Sequence, residues 1–183
     1  YSAAANWVVA GAIAQKPVSL LGLKKESLQG DRVLLELAGR AGARLGWVKD
    51  QLEVCRVQNQ PFVFDATDCP DLFPPLVVLA AAAKGQSEII GIQRLVHKES
   101  NRALTLQQEF SALGLDITLH ENSMLVKGTG GLKSGVFHAH NDHRLAMAGA
   151  LAALLTPAGL RIVGAEAVSK SYPEFWIHCG INR

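Results

Sequence analysis

Charge is scarce in this sequence, and so is cysteine. Charged residues are 19% of 183 and apolar residues 49%, a balance that excludes an intrinsically disordered chain, which buries too little apolar surface to offset its conformational entropy. The formal net charge is +2, with Lys and Arg scattered along the chain. A general nucleic-acid surface needs a basic stripe to neutralise phosphates, so none is expected and cationic function is confined to a local pocket. The three cysteines, Cys55, Cys69 and Cys179, lie far apart and form no C-x-x-C pair. That pattern supports neither a disulfide framework nor a zinc knuckle, and favours buried free thiols in a reducing cytoplasm. Long hydrophobic runs are missing too. The most apolar stretches, residues 7–14, 76–83 and 145–155, are too short to span a bilayer, so no membrane partner is expected. No secretory leader is visible. The chain opens at Tyr1, almost directly in an apolar run, and is read as a piece whose earlier part is missing.

What is present is a repeat. The three apolar runs are rich in Ala and Leu, which favours helix over strand, and they are apolar all round, which favours burial. A short strand follows each, at 18–23, 87–92 and 160–163. Then comes a polar turn: Lys25-Glu26-Ser27, Lys98-Glu99-Ser100 and Ser169-Lys170-Ser171, with the lysines about 72 residues apart. A second, amphipathic helix follows. Val33, Leu34, Leu37, Ala38 and Ala41 make one apolar face, and Ala103, Leu106, Phe110 and Leu113 another. Pro173 is expected in the first turn of the third such helix. Gly42 and Gly114 end the first two. Hairpins are expected at 44–57, turning near Lys49-Asp50, and at 117–127, turning near Glu121-Asn122-Ser123, while the third unit stops before its hairpin. The class is α/β. The economical arrangement groups the buried helices and places strands outside them, with an ordinary α/β sandwich or a doubly wound sheet as alternatives. Nothing resembles a flexible linker, so residues 1–183 are drawn as one domain.

Several constellations carry potential chemistry. Arg102 and Arg144 each fall in the first turn of an expected helix, where positive charge is unfavourable by roughly 0.3–1 kcal/mol. Either they turn away into solvent, or an anion sits between side chain and helix end. In His97-Lys98-Glu99-Ser100-Asn101-Arg102, Ser100 or Asn101 can cap the helix. Lys98 and Arg102 can clamp a phosphate or carboxylate there, and Glu99 beside it can donate a proton; the plainer alternative is a solvated loop. Asp71 precedes the second buried helix, either as its cap or as acceptor for a substrate hydroxyl. His138 and His140 would share a strand face at a metal-ligand spacing, but the segment reads better as a strand entering a helix with Asp142, His143 and Arg144 at its mouth. The glycine-rich stretch 128–134 lacks phosphate-loop spacing and is read as a loop.

Lys98-Glu99-Ser100-Asn101-Arg102, Asn141-Asp142-His143-Arg144 with Leu145-Ala146-Met147, and Ser169-Lys170-Ser171-Tyr172-Pro173-Glu174-Phe175 resemble three signatures of the 5-enolpyruvylshikimate-3-phosphate synthase family. Residues 68–76 resemble a fourth, and the order and spacing match over nearly the whole chain. The resemblance implies an inside-out α/β barrel of three repeats, buried helices surrounded by β-sheets, forming the C-terminal domain of a two-domain enolpyruvyl transferase. It implies transfer of a carboxyvinyl group from phosphoenolpyruvate to the 5-hydroxyl of shikimate 3-phosphate, with release of phosphate and no metal or organic cofactor. Glu99 would protonate the vinyl carbon, with Lys170 a second contender. Asp71 would hold and help deprotonate the hydroxyl, and Lys98 would touch the ring hydroxyls. Arg102, Arg144 and Lys170 would grip phosphoenolpyruvate, and His143 would orient these groups. A cytoplasmic monomer is implied, its partners being the two substrates and the enzyme's own N-terminal domain. Half the cleft being absent, the chain alone is expected not to turn over. Asn101 stands where the family often has Asp, and Arg94 where some members have Asn. Alternatives are the sister enzyme acting on UDP-N-acetylglucosamine, a non-catalytic binding module of the same fold, and a hydrolase built on His138 and His140.

Overall fold

The computed structural model describes residues 3–24, 30–95 and 101–181. The apolar runs form α1 (Ala4–Ile13), α3 (Phe73–Ala82) and α5 (His143–Ala153), and the amphipathic patterns form α2 (Val33–Arg40) and α4 (Arg102–Ala112). Every residue of α3 is buried, as an all-apolar helix requires. Its two prolines sit in the first turn, where their missing N–H groups are no loss. Helices α1, α3 and α5 pack on one another, and the sheets lie outside them.

The strands are β1 (Val18–Leu21), β2 (Ala43–Val48), β3 (Gln51–Arg56), β4 (Val63–Asp65), β5 (Lys84–Ile90), β6 (Asp116–Leu119), β7 (Ser123–Thr129), β8 (Gly135–His138) and β9 (Leu160–Val163). They form three sheets ordered β1-β3-β2, β4-β5-β7-β6 and β8-β9. The expected hairpins are β2-β3 and β6-β7, both antiparallel. Alternation along β3 and β7 turns Leu52, Val54, Met124 and Val126 toward the helices and leaves Glu53 and Lys127 outside, the two-residue period of a half-buried sheet. Close approach of helix and sheet depends on glycine at two places. A Cβ on Gly11 of α1 would stand 2.7 Å from Val54 Cβ, and one on Gly128 of β7 would collide with the Ala80 carbonyl of α3.

Three expectations need correction. Strand β4 is absent from the sequence reading, because three residues show no usable period; its parallel pairing with β5 is a long-range fact. The third amphipathic helix, α6 (Phe175–His178), is a single turn, and Pro173 lies before it rather than inside it. Of the thiols, Cys69 is buried but Cys55 and Cys179 are only partly so. Among the described residues no helix is long and apolar enough to cross a membrane. The Lys25-Glu26-Ser27 turn lies outside them.

Candidate active site

The N-terminal ends of α3, α4 and α5 meet through four charged side chains. Asp71 belongs to the 3-10 turn Pro70–Leu72 that leads into α3. Arg102 is the first residue of α4, capped by Asn101, whose side-chain oxygen accepts from Leu104 N. Asp142 caps α5, and its Oδ1 accepts from Arg144 N at 2.8 Å.

Arg102 lies between the two carboxylates. Its Nε donates to Asp142 Oδ2 at 2.8 Å and its Nη1 to Asp71 Oδ1 at 3.1 Å. The Arg102 side chain is 1% exposed and that of Asp142 0%. A charge so buried persists only when paired, so Arg102 is not a surface arginine turned toward water. Arg144 takes the other side of Asp71: Nη2 lies 2.8 Å from Asp71 Oδ2, and Nη1 donates to the Asp71 carbonyl at 3.4 Å. Each carboxylate oxygen of Asp71 thus meets one arginine. Asp142 lies between the Arg102 guanidinium and the start of α5, its Oδ2 on the one and its Oδ1 on the other. Beyond standing just before α3, Asp71 has both carboxylate oxygens engaged by arginines. Asp71 keeps 34% of its side chain exposed and Arg144 17%, so the pair faces outward while Arg102 anchors it from within.

His143 and Arg144 open α5 together. Lys170 ends the 3-10 turn Ala165–Lys170, and its Nζ donates to Asn141 O at 2.7 Å, one residue before the α5 cap. Behind it, Tyr172 is tied to the core: Trp7 Nε1 donates to its hydroxyl at 3.3 Å, and that hydroxyl lies 2.8 Å from His178 Nδ1. The structure therefore brings together Asp71, Arg102, Arg144 and the loop that Lys170 touches. Lys98 and Glu99 lie outside the described residues; Asn101 and Arg102, which follow them, are at the site. Arg94 lies in the 3-10 turn Ile92–Leu95.

Residues that the sequence reading gave no role are Asp142 and Glu109. Asp142 had a usable signal, a helix-start residue just before an apolar run. Glu109 had a fainter one: with Arg102 and Leu106 it lies on the buried stripe of α4, where a charge needs a partner. That partner is His140, whose Nε2 lies 2.7 Å from Glu109 Oε1. His138 and His140 do not share a strand face. β8 ends at His138, and His140 and Asn141 follow with φ 48° and 59°, left-handed backbone that costs roughly 1–2 kcal/mol for most residues and less for Asn. Among the described residues no group of three or more His, Cys, Asp or Glu is placed to hold a metal ion.

Cys69, two residues before Asp71, is no nucleophile at neutral pH. Burial first, then the Asp31, Asp68 and Asp65 carboxylates, push its thiol up to about 11, and burial takes Cys179 to about 11 as well. The thiolate is the reactive form. Alkylation of Cys69 is therefore expected to be very slow at pH 8 and to rise about ten-fold per pH unit toward pH 11; mass spectrometry of iodoacetamide-treated protein checks this, and fast labelling at pH 8 would contradict it.

Residues 1–178 match the family model described as EPSP synthase (3-phosphoshikimate 1-carboxyvinyltransferase). The 3-phosphoshikimate 1-carboxyvinyltransferase of Clostridium novyi (strain NT) is 38% identical over 176 residues, which are 96% of this chain and 40% of that protein. Its counterpart in Brachyspira hyodysenteriae is 36% identical over 177 residues, 96% of this chain and 42% of that protein. This chain spans about two fifths of the length of the curated relatives it matches. A solved EPSP synthase from Acinetobacter baumannii aligns with a TM-score of 0.85 at 25% identity, covering 98% of this chain and 44% of that one. An enolpyruvyl transferase from Streptomyces tendae, at 20% identity and a TM-score of 0.71 over 95% of this chain and 40% of that one, shares the α/β fold.

Proposed function

On the premise that this chain belongs to the EPSP synthase family, we propose that it forms one side of a cleft in which a carboxyvinyl group passes from phosphoenolpyruvate to the 5-hydroxyl of shikimate 3-phosphate. A second domain, of the kind its longer relatives carry in the rest of their length, forms the other side. The observation that supports this most is the charged network at the ends of α3, α4 and α5. It offers a cationic face, Arg144 with Arg102 behind it, and an acceptor, Asp71, in one constellation.

In the proposed addition step, Glu99 delivers a proton to the methylene carbon of phosphoenolpyruvate, with Lys170 the alternative donor. The substrate oxygen bonds to the neighbouring carbon, and its proton passes to Asp71. In the elimination step the methyl carbon gives a proton back to its donor, the bond from carbon to the phosphate oxygen breaks, and phosphate leaves with the proton that Asp71 had taken. Both acid–base groups return to their starting states. Arg102, Arg144 and Lys170 hold the phosphate and carboxylate charges, the kind of preorganised electrostatics that lowers a barrier without reorganisation. His143 orients the groups at the mouth of α5, and Lys98 holds the ring hydroxyls of shikimate 3-phosphate. No cofactor enters this scheme, and a cytoplasmic monomer is the setting that goes with it.

The test is phosphate release from phosphoenolpyruvate by the chain joined to that second domain, with shikimate 3-phosphate as acceptor and UDP-N-acetylglucosamine in parallel. Release that depends on shikimate 3-phosphate is expected. Release with the UDP-sugar alone would reassign the acceptor, and release with neither would leave a binding module. The chain alone is expected to release none.

A further inference from the structure

We propose that Glu109 is a positioning residue of this site, a clamp that holds the loop between β8 and α5 in the shape that presents Arg144 and receives Lys170. The functional half of this statement rests on the enolpyruvyl-transfer reading. Glu109 lies near the far end of α4 from Arg102, and both are buried on the same face. It engages the loop twice: Oε2 accepts from His138 N at 2.8 Å, and Oε1 lies 2.7 Å from His140 Nε2. Arg102 engages the loop's other end through Asp142. A single rigid helix therefore grips residues 138–142 at both ends.

What lies between the grips needs holding. His140 and Asn141 are successive non-glycine residues with positive φ, a combination that persists only where the surroundings determine it. The path delivers Asn141 O to Lys170 Nζ and brings Asp142 N onto Ala139 O, setting the cap from which Arg144 starts. The Glu109 side chain is 5% exposed and that of His140 36%, so the clamp is anchored inside and acts outward. If the loop relaxes, Arg144 and Lys170, two of the three cations expected to grip phosphoenolpyruvate, shift together, while the acceptor side of the cleft is not directly moved.

Glu109→Gln keeps the shape and an acceptor for His138 N but loses the carboxylate facing His140. In the two-domain enzyme, KM for phosphoenolpyruvate is expected to rise about ten-fold or more, since small misplacements of binding groups carry penalties of that order. KM for shikimate 3-phosphate should stay within about two-fold, the loop not being its grip. Adding His140→Gly should restore most of the loss, because glycine adopts positive φ without strain. Hydrogen exchange on the chain itself reads the clamp without any turnover. In Glu109→Gln the Asp142 and Arg144 amides should exchange faster while those of α3 do not change. Unchanged loop amides, or uniformly faster exchange throughout the fold, would overturn the clamp, as would equal rises in both KM values. Should the unaltered two-domain enzyme not turn over, the functional reading falls, and the exchange experiment still decides whether Glu109 holds the loop.

Discussion

Asp142→Ala is expected to be among the most destabilising single changes available at this site. It removes one of the two carboxylates that flank the buried Arg102 guanidinium, whose side chain is 1% exposed, and leaves Asp71 on the other side. Breaking a buried ion pair costs about 3–5 kcal/mol, which for a chain of this length is a fall in Tm of roughly 6–20 °C. Loss of the α5 cap accounts for about 1 kcal/mol of this. The two contributions separate in a double-mutant cycle. Arg102→Leu with Asp142→Ala removes the buried positive charge along with the carboxylate that faced its Nε, so the double variant should be more stable than Asp142→Ala alone. Thermal unfolding of the four proteins checks it. A loss of only about 1 kcal/mol in Asp142→Ala, with no recovery in the double variant, would mean that Asp142 is a helix cap and nothing more.

The second large effect concerns turnover rather than stability. Asp71→Asn keeps the side chain's shape and one acceptor oxygen but removes its charge. In the proposed reaction this deletes the group that takes the hydroxyl proton, and kcat is expected to fall by about 10²–10⁴. The same substitution leaves Arg144 without its 2.8 Å carboxylate partner, so the cationic face is less neutralised by the protein itself. Binding of phosphoenolpyruvate should therefore be unchanged or tighter while kcat collapses. That split distinguishes a proton acceptor from a residue that merely braces the arginines. Bracing alone predicts a raised KM with kcat largely preserved. Steady-state kinetics of the two-domain enzyme decide between them.

Much of this molecule is legible without coordinates because it is built from local patterns. The Ala- and Leu-rich runs make α1, α3 and α5 for reasons of propensity and burial that belong to each segment alone. Gly42 and Gly114 end α2 and α4 with φ 94° and 83°, a backbone conformation glycine takes without penalty. The hairpins turn where polar residues interrupt alternation. Even the repeat can be counted along the chain. The same local reading fails where a segment is too short to show a period, as at β4 and α6.

The chemistry of the site divides differently. From the residues themselves came Asp71, Arg102, His143 and Arg144 with their places at helix starts, while Lys170 joined them through the family resemblance. Their relations did not. Arg102 meets Asp142 across 40 positions, Asp71 meets Arg144 across 73, and Glu109 meets His140 across 31. Periodicity acts over a turn or two, so it can place a charge on a helix face but cannot say which opposite charge will face it. That is decided when three buried helices pack and bring their N-terminal ends to one place. Packing also turns a surface-seeming arginine into one excluded from water, where its pairing becomes obligatory. The sequence by itself determined which segments are buried and which residues stand at the helix mouths; only the tertiary structure decided which charges neutralise one another and which stay partly exposed.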